Sequence, residues 1–336
     1  MTPWVTPDRD VERRFWRFVH ARQTAWQRRR DGMPQAEWWP PAADAAEADW
    51  PGLHTACPYR ECSPRAVAIN SRLSDHVNMV DPWLRPLARL MVWRTYGGFV
   101  YKVLTDPIGV RLLDGDPREG MANDLSEHWA ALVELALREE ECIGGAELPR
   151  AKEPGDDNTE ALAAEIVAMV RASREATKAF CKAPTIRGQY EVLAAMPGAR
   201  PAAAWEVACD LAEPLADGRT WSRGSLDQWA PVSSQAAKAL NAMGVKGPQA
   251  TLLHAVRDMA ARQSLAFEAL CLDFPWLHDR SGAEVQLSLV NVERCLGEFA
   301  KTLNTKGRKR YSPSGRGELV RPIGWYDSPS WEGHNA

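Results

Sequence analysis

Residues Gln189–Asp210, QYEVLAAMPGARPAAAWEVACD, decide how this chain is read. A helical run ends near Met196, turns through Pro197-Gly198-Ala199-Arg200-Pro201, and restarts as a second helix carrying Trp205, Val207 and Asp210. Glycine admits the left-handed turn, and proline suits the first turn of the helix that follows. This is the layout of a helix-hairpin-helix, a device that holds a nucleic-acid phosphate. Its turn glycine lets the backbone approach an anion, and the amides opening the second helix favour negative charge. The alternative is an ordinary corner between two helices, punctuated by Pro-Gly. Arg200 stands where such hairpins usually carry a second glycine.

Working outward, nearly every segment with a clear period reads as helix. Over Asp8–Arg30, the positions Val11, Phe15, Phe18, Val19, Arg22 and Trp26 recur at three-and-four spacing, and Asp31-Gly32 ends the run. Helices are expected at Asp81–Leu104, interrupted at Gly97-Gly98, and at Asn123–Glu141. Further helices are expected at Thr159–Cys181, Ser234–Met243, Gly247–Leu270 and Val285–Lys301. The polar, turn-rich stretch Gly144–Asn158 reads as a linker. No alternating run is long enough to require a sheet, so the expected fold class is all-α. The expected division is an N-terminal helical lobe over 1–143, a helix-hairpin-helix lobe over 159–305, and a basic, irregular tail over 306–336.

A chain of 336 residues with 45% apolar content can bury a sizeable core. No apolar run approaches the length that crosses a bilayer, and MTPWVTPDRDVERRFW lacks a signal peptide's apolar region. No membrane partner is expected, and the expected location is the cytoplasm. The seven cysteines form no C-x-x-C pair and the seven histidines never take ligand spacing, so no metal site is expected. The net charge of −3 rules out a globally basic nucleic-acid binder, leaving local patches at Arg28-Arg29-Arg30 and at Lys306-Gly307-Arg308-Lys309-Arg310. Either is equally a solvated helix end or loop. Fifteen tryptophans give ample surface for stacking on a base, although most belong in a core.

The phosphate loop, the dinucleotide fingerprint, H-E-x-x-H and G-x-S-x-G are all absent from the sequence. What remains is carboxylates beside cations. Asp210 lies on the second hairpin helix, and Asp227 lies in GSLDQW leading into the Ser234 helix. Each is a candidate for supporting charge at an extruded nucleotide, or else a helix cap or surface ion pair. Glu293 and Lys301 flank Gly297 on one helical face in NVERCLGEFAK, where a Glu-to-Lys stripe is otherwise a solvated surface. Arg60, Arg65 and Arg72 cluster around two prolines, an arrangement suited to bidentate phosphate contacts.

Several segments carry a family resemblance. FWRFVHARQTAWQRRRDG (15–32) and PYRECSPRAVAIN (58–70) resemble an opening helix and an Arg-bearing motif. YEVLAAMPGARPAAAWEVACDL (190–211) resembles a hairpin motif ending in Asp-Leu. SLDQWAPVSSQAAKALNAM (225–243) and SLVNVERCLGEFAKTLNTKGRKRY (288–311) resemble the closing motifs. Together they resemble the α-glutamyl/putrescinyl-thymine pyrophosphorylases, met also as the helical domain of phage hydroxymethyl-deoxyuridine DNA kinases. Pro231-Val232-Ser233-Ser234 stands where that family has Gly-Pro-Gly-Ala, and Gly297 where it has Cys.

The resemblance implies a DNA-glycosylase-like helical fold. It also implies a transferase that replaces the pyrophosphate of 5-pyrophosphoryloxymethyl-deoxyuridine in DNA with putrescine or an amino acid. Its partners would be double-stranded DNA with modified thymine and a small amine or amino acid, in the host cytoplasm if the gene is a phage's. Arg60, Arg65, Arg72 and Lys301 would hold the pyrophosphate, with or without Mg2+. Asp227 or Asp210 would take the amine's proton, and Glu293 would orient Lys301 or the nucleophile. Gly198, Arg200, Lys238, Arg308, Lys309 and Arg310 would contact the DNA. Two other readings stand beside this one: a DNA glycosylase or lyase of the same fold, and a non-catalytic DNA-binding protein.

Overall fold

A computed structural model describes residues 9–42, 47, 50, 57–62, 91, 158–213, 222–279 and 281–303. The expected helices at Asp81–Leu104 and Asn123–Glu141, most of the linker, and the tail lie outside these residues, as do Arg65, Arg72, Arg308, Lys309 and Arg310. Among the described residues the chain is all-α apart from one short antiparallel pair of strands. It divides into two units: Met1–Ala68 with Leu226–Ala336, and Ile69–Ser225.

In the first unit, α1 (Arg9–Arg30) buries Phe15, Trp16, Phe18, Val19, Arg22 and Trp26, the face that the apolar period predicts. It ends at Gly32, whose φ of +76° is the left-handed turn glycine adopts freely. There the Met33 N–H donates to Arg28 O at 2.9 Å, closing the last turn. The Arg28–Arg30 run is spent on this helix end. Arg28 donates to Glu37 O, Arg29 lies over Trp38, and Arg30 bonds Asp31 and lies over Trp26.

Next come α5 (Ser234–Ala242), α6 (Gln249–Ala261), α7 (Gln263–Ala269), the strands β1 (Leu277–His278) and β2 (Glu284–Val285), and α8 (Leu289–Leu303). The register pairs Leu277 with Val285 and His278 with Glu284. Helix α8 is the hub: α5 packs on it through Ala236, Ala239 and Leu240, all fully buried small or branched side chains that allow close approach. Helix α1 meets it through Phe15 and Phe18, whose rings lie 5.6 and 5.7 Å from that of Phe299. Trp16 continues the aromatic core to Phe267, which stacks on Phe274 at 4.3 Å. Each such pair adds about 0.5–1.5 kcal/mol beyond the burial itself.

Three sequence expectations change here. The single helix over Gly247–Leu270 is two, because Arg262 takes φ −102° and ψ 5°, outside the helical range. The buried Gln263 side chain drives the break: it donates to Leu287 O at 3.0 Å and accepts the Leu287 N–H at 2.9 Å, tying the start of α7 to a distant loop. The last helix starts at Leu289 and not Val285, because Ser288 caps it through the Asn291 N–H at 3.2 Å. Val285 itself is held in β2, which the length rule for strands did not anticipate.

The described part of the second unit is a run of three helices: α2 (Asn158–Lys182), α3 (Ile186–Ala194) and α4 (Pro201–Ala212). Thr185 caps α3 by accepting the Gly188 N–H. Helices α3 and α4 pack on each other across the 197–200 turn, with Tyr190 set edge-on to Trp205 at 5.9 Å. Beyond α4, the Gly224 N–H donates to Ser222 Oγ, whose hydroxyl in turn donates to the buried Gln189 side chain. This brings Gly224 against the start of α3, where a Cβ would stand 2.5 Å from the Ile186 nitrogen.

Candidate functional site

The first unit gathers residues far apart in sequence around the N-terminal half of α8. Asp227 is exposed, and its Oδ1 accepts the Leu289 N–H at 3.1 Å, so it caps α8 across 62 positions of sequence. Glu293 is buried, and its Oε1 accepts the Ser233 N–H at 2.8 Å. Ser233 in turn caps α5 by accepting the Ala236 N–H through Oγ at 3.1 Å. Ser233 and Glu293 together reproduce the two bonds of a capping box, with the glutamate supplied by another helix. Gly297 faces the same helix start: a Cβ there would lie 3.7 Å from Ser233 Oγ and 3.9 Å from Gln235 Cβ.

The Pro58–Cys62 segment docks beside this. The Arg60 N–H donates to Asn291 Oδ1 at 2.8 Å, and the buried Tyr59 hydroxyl donates to Val285 O at 2.6 Å. The Arg60 side chain is itself buried. Lys301, about two turns along α8 from Glu293, is exposed and pairs with Glu298 at 2.5 Å. Burial alone would raise the Glu298 carboxyl, but the Lys301 hydrogen bond and the charges of Lys301, Arg22 and Arg294 outweigh it and hold it below the usual range. Burial pushes the Cys295 thiol up to about 11, which keeps it protonated and unreactive.

In the second unit, Asp210 is fully buried within α4. Gly198 has φ +68°, and the Ala199 N–H donates to Met196 O, closing a Pro-Gly turn. A Cβ at Gly198 would run into the Glu165 side chain of α2, so a carboxylate stands at the approach to this turn. Arg200 is exposed, and α4 begins with no side-chain cap.

The sequence reading missed a second hairpin, between α5 and α6 in the first unit. Gly244 (φ +83°) ends α5, with the Val245 N–H donating to Leu240 O at 2.9 Å, and Gly247 (φ +148°) precedes Pro248 and an α6 that also lacks a side-chain cap. Lys238 and Lys246 are exposed around it. The signal was present: Gly-Val-Lys-Gly-Pro between two helical periods, in a stretch with no acidic residue between Asp227 and Asp258. Among the described residues no group of three His, Cys, Asp or Glu side chains is placed to hold a metal, and no helix is long and apolar enough to cross a membrane. No family model, curated protein or solved structure matches the chain.

Proposed function

We propose that this chain is a DNA-modifying transferase that replaces the pyrophosphate of 5-pyrophosphoryloxymethyl-deoxyuridine in DNA with putrescine or an amino acid. The observation that carries this reading is convergence. The segments that resemble the pyrophosphorylases at 15–32, 58–70, 225–243 and 288–311 are separated by up to about 160 residues of chain, yet their described parts interlock in one unit. Arg60 with Asn291, Asp227 with Leu289, Glu293 with Ser233, and Phe15 and Phe18 with Phe299 are the joints. The fifth resembling segment, 190–211, belongs to the other unit.

A glycosylase-like helical architecture suits this reading, with the Gly244–Pro248 hairpin as its phosphate contact. No acidic residue lies between Asp227 and Asp258 around that hairpin, whereas Glu165 stands against Gly198 in the other. The chemistry asked of the protein is modest. The base must be extruded, the leaving anion neutralised, and the amine held neutral beside the exocyclic carbon. Within the first unit, Arg60 and Lys301 are assigned to the anion, and Asp227 and Glu293 to the amine; Asp210 is buried in α4 of the other unit.

One observation favours a second reading. Asp227 and Glu293 each hold the start of a helix, which is all a non-catalytic DNA-binding protein would need of them. Mass spectrometry of nucleosides after incubation with pyrophosphorylated DNA and putrescine or amino acids separates the two. An adduct supports the transferase, base release points to a glycosylase, and retention of DNA without product supports the binding protein.

A further inference from the structure

Residues 228–232 form a strap along α6. At one end the Arg257 guanidinium donates to Gln228 O, and at the other the Gln249 side-chain amide donates to Val232 O at 3.0 Å. Eight residues of helix separate Gln249 from Arg257, about 12 Å, and four steps of extended chain separate Gln228 from Val232, about 13 Å. The lengths match, so the strap runs extended and antiparallel to α6, across the face that carries Gln249, Leu253 and Arg257. Its flanks are pinned to α8: Asp227 accepts the Leu289 N–H, and the Ser233 N–H donates to Glu293. Four anchors within seven residues hold this backbone in one place.

Extended chain sends successive side chains to opposite sides. Ala230 and Val232, 1% and 3% exposed, form the inner side. Trp229 and Pro231 are half-buried, so the indole and the pyrrolidine ring share the outer side. The exposed Asp227 stands two residues before the indole. From Gln228 to Arg257 the chain carries the exposed cations Lys238, Lys246 and Arg257 and no carboxylate. Lys246 sits three residues before the Gln249 clamp, and Arg257 bonds the residue next to Trp229. A flat ring fixed beside cations suits a base whose phosphates lie alongside. An apolar peptide would use the ring and leave the cations unmatched.

We propose that Trp229 is a stacking platform for an unpaired nucleobase, and that Gln249 and Arg257 are positioning residues that hold it there. The inference rests on the functional reading above for its partner, a nucleic acid, and not for the chemistry done on the base. Stacking reads the π-face, so the platform accepts any base and adds affinity without choosing sequence. A ring whose backbone is already fixed loses little freedom when a base settles on it.

The test is fluorescence anisotropy of the full chain with two short labelled single strands at fixed ionic strength, an oligothymidylate and an abasic strand of equal length. The quantity read is the ratio of the two affinities, which should favour the thymidylate strand by about tenfold or more, the scale of one base–aromatic stack. Trp229→Leu keeps an apolar body and loses the aromatic face, so it should remove most of that ratio and leave the abasic affinity unchanged. Trp229→Phe keeps a ring and should retain most of it. Gln249→Ala frees Val232 O without removing a charge, and should lower the ratio at unchanged abasic affinity. Lys246→Ala should weaken both strands alike. A wild-type ratio near one, an unchanged ratio in Trp229→Leu, or an equal loss on both strands would each overturn the platform, and an unchanged ratio in Gln249→Ala would overturn the positioning role. Where the leucine variant does not fold, photo-crosslinking of the wild type to a 5-iodouracil strand decides: the peptide carrying Trp229 should bear the adduct, and its absence from the crosslinked peptides overturns the platform. A chain with this Trp229-dependent ratio that leaves pyrophosphorylated DNA unmodified keeps the platform and loses the transferase reading. A chain that modifies DNA equally well with Trp229→Leu loses the platform alone.

Discussion

Glu293 offers the clearest separation of a structural role from a chemical one. Its carboxylate is buried and accepts the Ser233 N–H at 2.8 Å, at the positive end of α5. A hydrogen bond to a charged group contributes about 1.5–3 kcal/mol, and an anion at a helix N-terminus a further 0.3–1 kcal/mol or so. Glu293→Ala is therefore expected to cost about 2–4 kcal/mol, read as a lower urea midpoint at constant slope. Glu293→Gln keeps an acceptor and should cost roughly 1 kcal/mol by the helix-end charge alone. The cycle partner is Ser233, whose φ of −64° already suits proline. Ser233→Ala loses the Ala236 cap, about 1 kcal/mol, but keeps the N–H, so it should add to Glu293→Ala. Ser233→Pro removes that N–H, so it should cost markedly less in the Glu293→Ala background than in the wild type. If the proline and alanine changes instead add within about 0.5 kcal/mol, the trans-capping account is wrong. The same Glu293→Gln protein, assayed by nucleoside mass spectrometry, should keep most of its activity if the residue only holds α5. A tenfold loss in a protein with an unshifted urea midpoint would assign it to the chemistry.

Gly297→Ala should stabilise the chain by about 0.5–1 kcal/mol, because the added methyl meets Ser233 and Gln235 at ordinary contact distance while the helix loses a flexible residue; a lowered urea midpoint would refute the packing around Gly297. Gly224→Ala should be the more damaging glycine substitution, since the methyl meets Ile186 backbone at 2.5 Å, whereas at Gly198 the Glu165 side chain can swing aside and only the left-handed conformation, worth about 1–2 kcal/mol, is strained. Thermal melts of the two variants should fall in that order. His20 is held below the ordinary histidine value of 6.5 by burial, which outweighs its bond to Asp273 O. The unfolded chain therefore takes that proton first, and stability present above this pH is lost as the pH falls toward the folded value; His20→Gln should flatten urea midpoints between neutral and mildly acidic pH. Replacing Lys238 and Lys246 by alanine should weaken DNA binding and reduce the slope of log affinity against log salt by about 2, with an unchanged slope excluding the α5–α6 hairpin as the contact.

Local signals were legible in the sequence and long-range ones were not. Gly32 after an arginine run and the Phe15–Trp26 stripe each act within a few turns, so spacing alone exposes them. The break at Arg262 was hidden because its cause, the grip of Gln263 on Leu287, reaches across 24 positions. Asp227 and Glu293 carry the same lesson further. The sequence offers a cap or ion pair beside a catalyst for Asp227 and a solvated stripe beside a catalyst for Glu293, and the amides they bond lie 62 and 60 positions away. Both acids now sit at helix starts that share one interface, Asp227 at that of α8 and Glu293 at that of α5, the helix packed on it. An ammonium ligand that drew either carboxylate away would free an amide at one of those starts. Occupancy of such a site and the packing of α5 on α8 are therefore coupled, and a ligand that used either acid would have to replace the cap it removed.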